Sequence, residues 1–267
     1  MIHTVAGGGI TAEIDLADGG RLTALTALGR QWLAVGGART PGGYLQAGSG
    51  GWDEIAPTVS ACVLDDGTVL ADHGDAWQNA WTLVSASDTH VEATVTLTSL
   101  PITLTRRVES SGTGLRLSYS ATTSSVRPVP LFWCAHPLFA AHPGTRLRVS
   151  ADPRLIEEYP GPRRQREWPG DVGATAVKAF TDGPVSSASV VHTGGDSLTL
   201  SWDPDVLPYL GLYWDGGEFT SVPVVAIEPA TGYGDSAARA SAEGRVRLLR
   251  AGSPFVWWLD VAATASR

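Results

Sequence analysis

The sequence predicts an all-β protein, a sandwich or barrel, spanning residues 1–267 as a single domain. Three observations predict it. Apolar residues recur with period two rather than 3.6, the mark of half-buried strands. Glycine (31) and proline (17) punctuate the chain at short intervals. No stretch of about 12 residues carries a helical stripe, and many short strands without intervening helices characterise sandwiches and barrels.

The elements follow in order. Turn signals stand at Ala17-Asp18-Gly19-Gly20 and Asp65-Asp66-Gly67, where Gly and Asp tolerate the required backbone angles. In HVEATVTL, Val91, Ala93, Val95 and Leu97 alternate with Glu92, Thr94 and Thr96. ITLTRRVE repeats the pattern with Ile102, Leu104 and Val108, then turns at Ser110-Ser111-Gly112. LRLSYSA continues it with Leu115, Leu117, Tyr119 and Ala121, and LTLSW with Leu198, Leu200 and Trp202. A further turn falls at Asp215-Gly216-Gly217. PVPLFWCA, VPVVAIE and PFVWWLDVAA are nearly continuous apolar runs, which suit strands buried on both faces. DSAARASAEG is the best helical candidate, one turn or a loop. The irregular stretches 36–60 and 150–190 are expected to be functional loops or to wrap the core. No linker or internal repeat divides the chain.

Composition removes several classes of function. The hydrophobic fraction is 43%, with 17% charged residues, near the globular average and unlike a disordered chain. The net charge is −8, whereas a nucleic-acid groove needs a basic face. Arg163, Arg164 and Arg166 form a local basic run among prolines and glycines, expected to be a solvated loop. No apolar run approaches the roughly 20 residues that span a bilayer. The start, MIHTVAGGGITAEID, lacks a basic segment followed by an apolar one, so a cytoplasmic protein is expected, as monomer or homodimer. Cys62 and Cys134 form no CxxC pair, HxH and HExxH spacings are absent, and no P-loop, G-x-S-x-G or strand-borne G-x-G-x-x-G occurs. No metal or cofactor is therefore expected.

Three places set polar residues in apolar or aromatic surroundings. LADHGDAWQNAW holds His73, Asp75, Trp77, Asn79 and Trp81. Tryptophan faces can stack on the C–H faces of a sugar while polar neighbours take its hydroxyls. The same tryptophans could equally plug the core. PLFWCAHPLFAAHPG places His136 after an apolar run and before a proline that holds it extended, which reads as a strand end facing a cleft or as a satisfied core histidine. VPVVAIEPATGYGDS ends its apolar run at Glu228, again before a proline. A carboxylate there is costly unless paired, used or solvated. Asp235 follows in a glycine-rich turn, as a second polar contact or a turn residue.

Taken together, Trp52-Asp53-Glu54 with Pro57-Thr58, Asp72-His73-Gly74-Asp75 with Trp77 and Trp81, Ala135-His136-Pro137-Leu138, Pro208-Tyr209-Leu210 with Trp214, and Ile227-Glu228-Pro229 with Thr231-Gly232 and Asp235-Ser236 come in one order. This succession resembles the aldose 1-epimerase family, the galactose mutarotase-like proteins, over residues of about 10 to 262. The resemblance implies a large antiparallel supersandwich and a cofactor-free interconversion of α and β anomers of an aldose. It implies that Glu228 is the general base at the anomeric hydroxyl, that His136 is the general acid at the ring oxygen, and that His73 hydrogen-bonds the sugar. Asp203 lies near the family's substrate-binding aspartate. Asp75, Trp77, Trp52 and Asp53 complete the expected sugar-binding set.

The residue types suit the chemistry. Ring opening takes a proton from an alcohol and gives one to an ether oxygen, so one group must start basic and the other acidic. A carboxylate near pKa 4.3 and an imidazole near 6.5, both about their reference values, are poised that way. One departure concerns the Asn-Arg pair that better-known mutarotases carry upstream of the first histidine. Here the region reads GSGGWDEIAPTV, and Trp52, Asp53 and Glu54 stand in its place. A sugar-phosphate branch would need a basic clamp, for which Arg30, Arg39 and Arg106 are candidates, Arg106 equally as a buried structural partner. Two other readings stay open: a non-catalytic carbohydrate-binding protein, which the ten tryptophans fit, and a pathway-specific sugar epimerase or lyase on the same fold. Convergence of His136 and Glu228 on one cavity separates the enzyme from the binding module.

Overall fold

Two antiparallel sheets face each other in the computed structural model, which describes residues 2–37, 43–44, 48–167 and 175–266. One sheet has eleven strands and the other eight. The eight-stranded sheet contains the period-two strands His90–Thr96, Ile102–Ser111 and Gly114–Thr123. Their burial alternates as the sequence dictates, with Val91, Val95, Leu104, Leu117 and Ala121 inward. These side chains meet Leu22, Leu25, Trp52 and Ile55 of the opposite sheet in one hydrophobic cluster. Among the described residues no helix is long and apolar enough to cross a membrane.

Three sequence expectations need correction. The run PFVWWLDVAA is a strand, Phe255–Thr264, but it is buried on alternate positions only. It lies inside the eight-stranded sheet, whose other face is open, so Val256 remains 64% exposed. The stretch 150–190 is no loop: it contributes the strands Arg154–Tyr159, Arg164–Arg166 and Val177–Asp182 to the edge of the larger sheet. Inward charges hid the pattern. Glu157 is fully buried beneath Arg164 and Arg166, so the arginine run is a paired edge strand rather than a solvated loop. DSAARASAEG forms a short helix, Ala237–Ala242, in which the Ser236 hydroxyl accepts the Arg239 N–H, as an N-cap should.

Five neighbouring strands of the larger sheet build the floor of a cavity: Trp52–Ile55, Cys134–Ala140, Val224–Ala230, Tyr209–Asp215 and Val177–Asp182. Cross-strand partners share a face of a sheet. The register pairs Asp53 with His136, Gly211 with Glu228 and Phe180 with Gly211. Between the second and third of these strands, Cys134 faces Ala230 and Leu138 faces Ala226, which sets His136 opposite Glu228. Both residues therefore stand in mid-strand, not at strand ends. The prolines that follow them lack an N–H, and the pairing of these two strands skips from Cys134 to Leu138 where they occur.

Candidate active site

A cavity of about 230 Å³ opens above this floor, lined by His73, His136, Lys178, Tyr213 and Asp235 among others. It is smaller than the roughly 300–1,000 Å³ usual for drug-sized ligands, which matches a monosaccharide. His136 Nε2 lies 3.8 Å from Glu228 Oε1. Glu228 is 2% exposed, and its Oε1 has no hydrogen-bond partner among the described residues. Its other oxygen, Oε2, accepts a hydrogen bond from the Lys178 ammonium, which also has Asp235 Oδ1 at 3.7 Å.

The far side of His136 is held as firmly. Tyr44 Oη stands 2.9 Å from Asp53 Oδ2 and 3.1 Å from His136 Nδ1. A phenol has one proton to give, and Asp53 accepts it. His136 must then donate Nδ1–H to the Tyr44 oxygen, which leaves Nε2 as the position where a proton is taken or given. Asp53 itself is fully buried and has Arg21 Nε at 3.8 Å. The Tyr44 ring stacks on His73, with centroids 4.0 Å apart and planes 9° from parallel. His73 holds a left-handed backbone, φ 58°, and its Nδ1 meets Asp72 Oδ2 at 2.8 Å.

Burial sets the charges. It pushes the His136 imidazole well below its ordinary pKa, and the neighbouring His73 and Lys178 push the same way. Burial raises the Asp235 carboxyl, against the pull of Lys178. Burial also opposes the charge on Lys178, but Glu228 and Asp235 outweigh it and raise the amine above its usual value. In the empty cavity Lys178 is thus an ammonium and His136 is neutral near pH 7.

His73 and His136 line the cavity, Glu228 lies buried against His136 without lining it, and Asp53 stands behind Tyr44. The structure does not bring the rest of the expected set to the cavity. Trp52 is fully buried in the core, because it sits on the opposite face of its strand from Asp53. Glu54 shares that inner face and meets Arg106 Nη1 at 2.9 Å. Trp77 is buried, donates Nε1–H to the Gly74 carbonyl and presents its ring edge to Tyr44. Asp75 caps a turn by accepting from Thr98 and Ser99. Asp203 lines a separate cavity with Arg116 and Trp257. Of the clamp candidates, Arg30 pairs with Asp196, Arg106 is locked to Glu54, and Arg39 lies outside the described residues. Lys178 and Tyr44 were not anticipated. One signal was available for the first: Lys178 is the chain's single lysine and sits in the apolar segment Ala-Val-Lys-Ala-Phe.

Comparison with protein-family models finds no match, and neither does comparison with curated proteins. Solved structures do match. A protein from Escherichia coli K12 proposed to be an aldose 1-epimerase shares 16% identity over 99% of each chain, with a TM-score of 0.77. A galactose mutarotase-like protein from Lactobacillus casei shares 17% over 99% of this chain and 100% of that one, with a TM-score of 0.72. A galactose mutarotase related enzyme from Lactobacillus acidophilus shares 11% over 100% of this chain and 98% of that one, with a TM-score of 0.75. The chain therefore has the galactose mutarotase-like fold, as the order of its motifs implied, in a divergent sequence.

Proposed function

We propose that the protein is a cofactor-free mutarotase that interconverts the anomers of an aldose. The observation that carries this reading is the pairing of Glu228 Oε1, buried and without a partner, with His136 Nε2 at 3.8 Å beside a monosaccharide-sized cavity. An orphaned buried carboxylate oxygen is costly, and a hydroxyl proton from a ligand would satisfy it. The two groups lie side by side rather than across the sugar from each other. That arrangement suits the reaction, because the hydroxyl that loses a proton and the ring oxygen that gains one are borne on the same carbon.

Glu228 Oε1 takes the proton of the anomeric hydroxyl as the C1–O5 bond breaks. His136, carrying a proton on Nε2, delivers it to O5, and rotation about C1–C2 followed by the reverse transfers closes the other anomer. His73 and Asp235 face the sugar's remaining hydroxyls. Positioned acid and base groups contribute about 10²–10⁴-fold each. Glu228→Gln should therefore lose at least a hundredfold in kcat while still binding sugar. Polarimetry and NMR saturation transfer on a panel of aldoses check this. Wild-type protein that accelerates no anomer exchange, or a glutamine variant that keeps the full rate, rejects the mechanism.

A further inference from the structure

We propose that Lys178 is a positioning residue for Glu228, reaching it across Gly211 and so fixing the angle at which the carboxylate presents its other oxygen beside His136. The turnover part of its test rests on the mutarotase reading; the spectroscopic part does not. Lys178 and Glu228 belong to strands that are not neighbours. The strand between them, Tyr209–Asp215, offers Gly211 opposite Glu228. A Cβ at Gly211 would stand 3.3 Å from Glu228 Oε2, 3.3 Å from Lys178 Cε and 3.0 Å from the Phe180 ring. The missing side chain is the corridor through which the lysine stem crosses the sheet.

The carboxylate end of a glutamate rotates over a broad profile, so an untethered Glu228 would not hold its plane at one angle to His136. The ammonium holds Oε2, and Oε1 is left towards His136. The groups that face Glu228 are Cys134 and His136 from one neighbouring strand, Tyr213 from the other, Lys178 beyond it, and Asp235 from the following turn. With His136 neutral, Lys178 is the one cation in this set. It offsets two carboxylates. It also opposes a charge on His136, so the limb of the pH profile that His136 sets depends on it.

The test compares kcat/KM for anomer exchange against pH in wild type and Lys178→Met. Removing a like charge raises the pKa of the imidazole it opposes. The expected result is that the limb set by His136 moves to higher pH. A rate lowered by the same factor at every pH, with unmoved limbs, would assign Lys178 a merely structural role and overturn the proposal. Gly211→Ala keeps the charge but crowds the corridor. It should cut kcat tenfold or more with little change in KM, and an unaltered kcat counts against the proposal even if Lys178→Met does not fold. Because the chain has one lysine, protein labelled with 15Nζ-lysine shows one ammonium resonance. That resonance should shift and exchange faster with water in Glu228→Gln. An unchanged resonance overturns the positioning assignment whether or not any sugar turns over. A changed resonance with no turnover in wild type overturns the mutarotase reading alone.

Discussion

His136 has its proton placed by Tyr44 and Asp53 on one side and its charge suppressed by burial and Lys178 on the other. For the proposed mutarotase reaction the consequence has a definite sign. kcat/KM reports the free enzyme, in which the imidazole titrates below its ordinary value of about 6.5. The charged acid therefore becomes scarcer as pH rises, and kcat/KM should be higher at pH 6 than at pH 8 once the buffer reaction is subtracted. The same shift acts on stability with the opposite trend. Below about pH 6.5 the unfolded chain takes up a proton that the folded site resists, so the stability present above that pH drains away as pH falls towards the folded value. His136→Gln should flatten both trends, read by polarimetry and by melting curves across pH 5 to 8. His136, Glu228 and His73 were legible in the sequence because each interrupts an apolar or aromatic run. Tyr44 was not, since its role depends on Asp53 and His136 meeting at one hydroxyl. Trp52 and Asp53 looked equivalent as neighbours, yet the pleat sends them to opposite faces.

Elements carry these residues through a few close backbone approaches. The turn bearing His73 lies against the strand Trp52–Ile55: Asp75 N–H donates to the Ala56 carbonyl at 2.8 Å, and Gly74 forms a bridge with Ala56. Gly74 has φ 63°, and a Cβ there would overlap the Ala56 carbonyl oxygen. Gly74→Ala should thus cost about 1–3 kcal/mol from backbone strain alone and lower sugar affinity by moving His73, as urea unfolding and a binding titration will show. Period-two strands were readable wherever one face is apolar, as in His90–Thr96. They were unreadable where function or pairing puts charge inward. Glu157 and Lys178 break the alternation of the edge strands, so 150–190 looked like loop. The chance placement of strands in the chain also hides the decisive pairing: His136 and Glu228 become neighbours only through tertiary register.

On the scale of the whole molecule, the two sheets are joined by a polar tie inside an otherwise apolar core. Arg106 of the eight-stranded sheet meets Glu54 of the eleven-stranded sheet, and Glu54 also accepts from Tyr119 Oη at 2.9 Å and Trp133 Nε1 at 2.8 Å. Both charged residues are almost fully buried. Arg106→Met would leave the carboxylate without its cation, a change that typically costs about 3–5 kcal/mol, so the urea midpoint should drop steeply while the cavity residues stay in place. A variant as stable as wild type would show the tie to be dispensable. The sandwich as a class was legible from periodicity, but this tie was visible only as Arg106 on the apolar side of its strand. A last consequence follows from the lone lysine. A protease that cuts only after lysine has one target bond in the chain, and that bond lies in the strand Val177–Asp182 beneath the cavity, flanked on both sides in its sheet. Cleavage requires the strand to open, so the appearance of two fragments is a direct clock for the unfolding of the cavity floor.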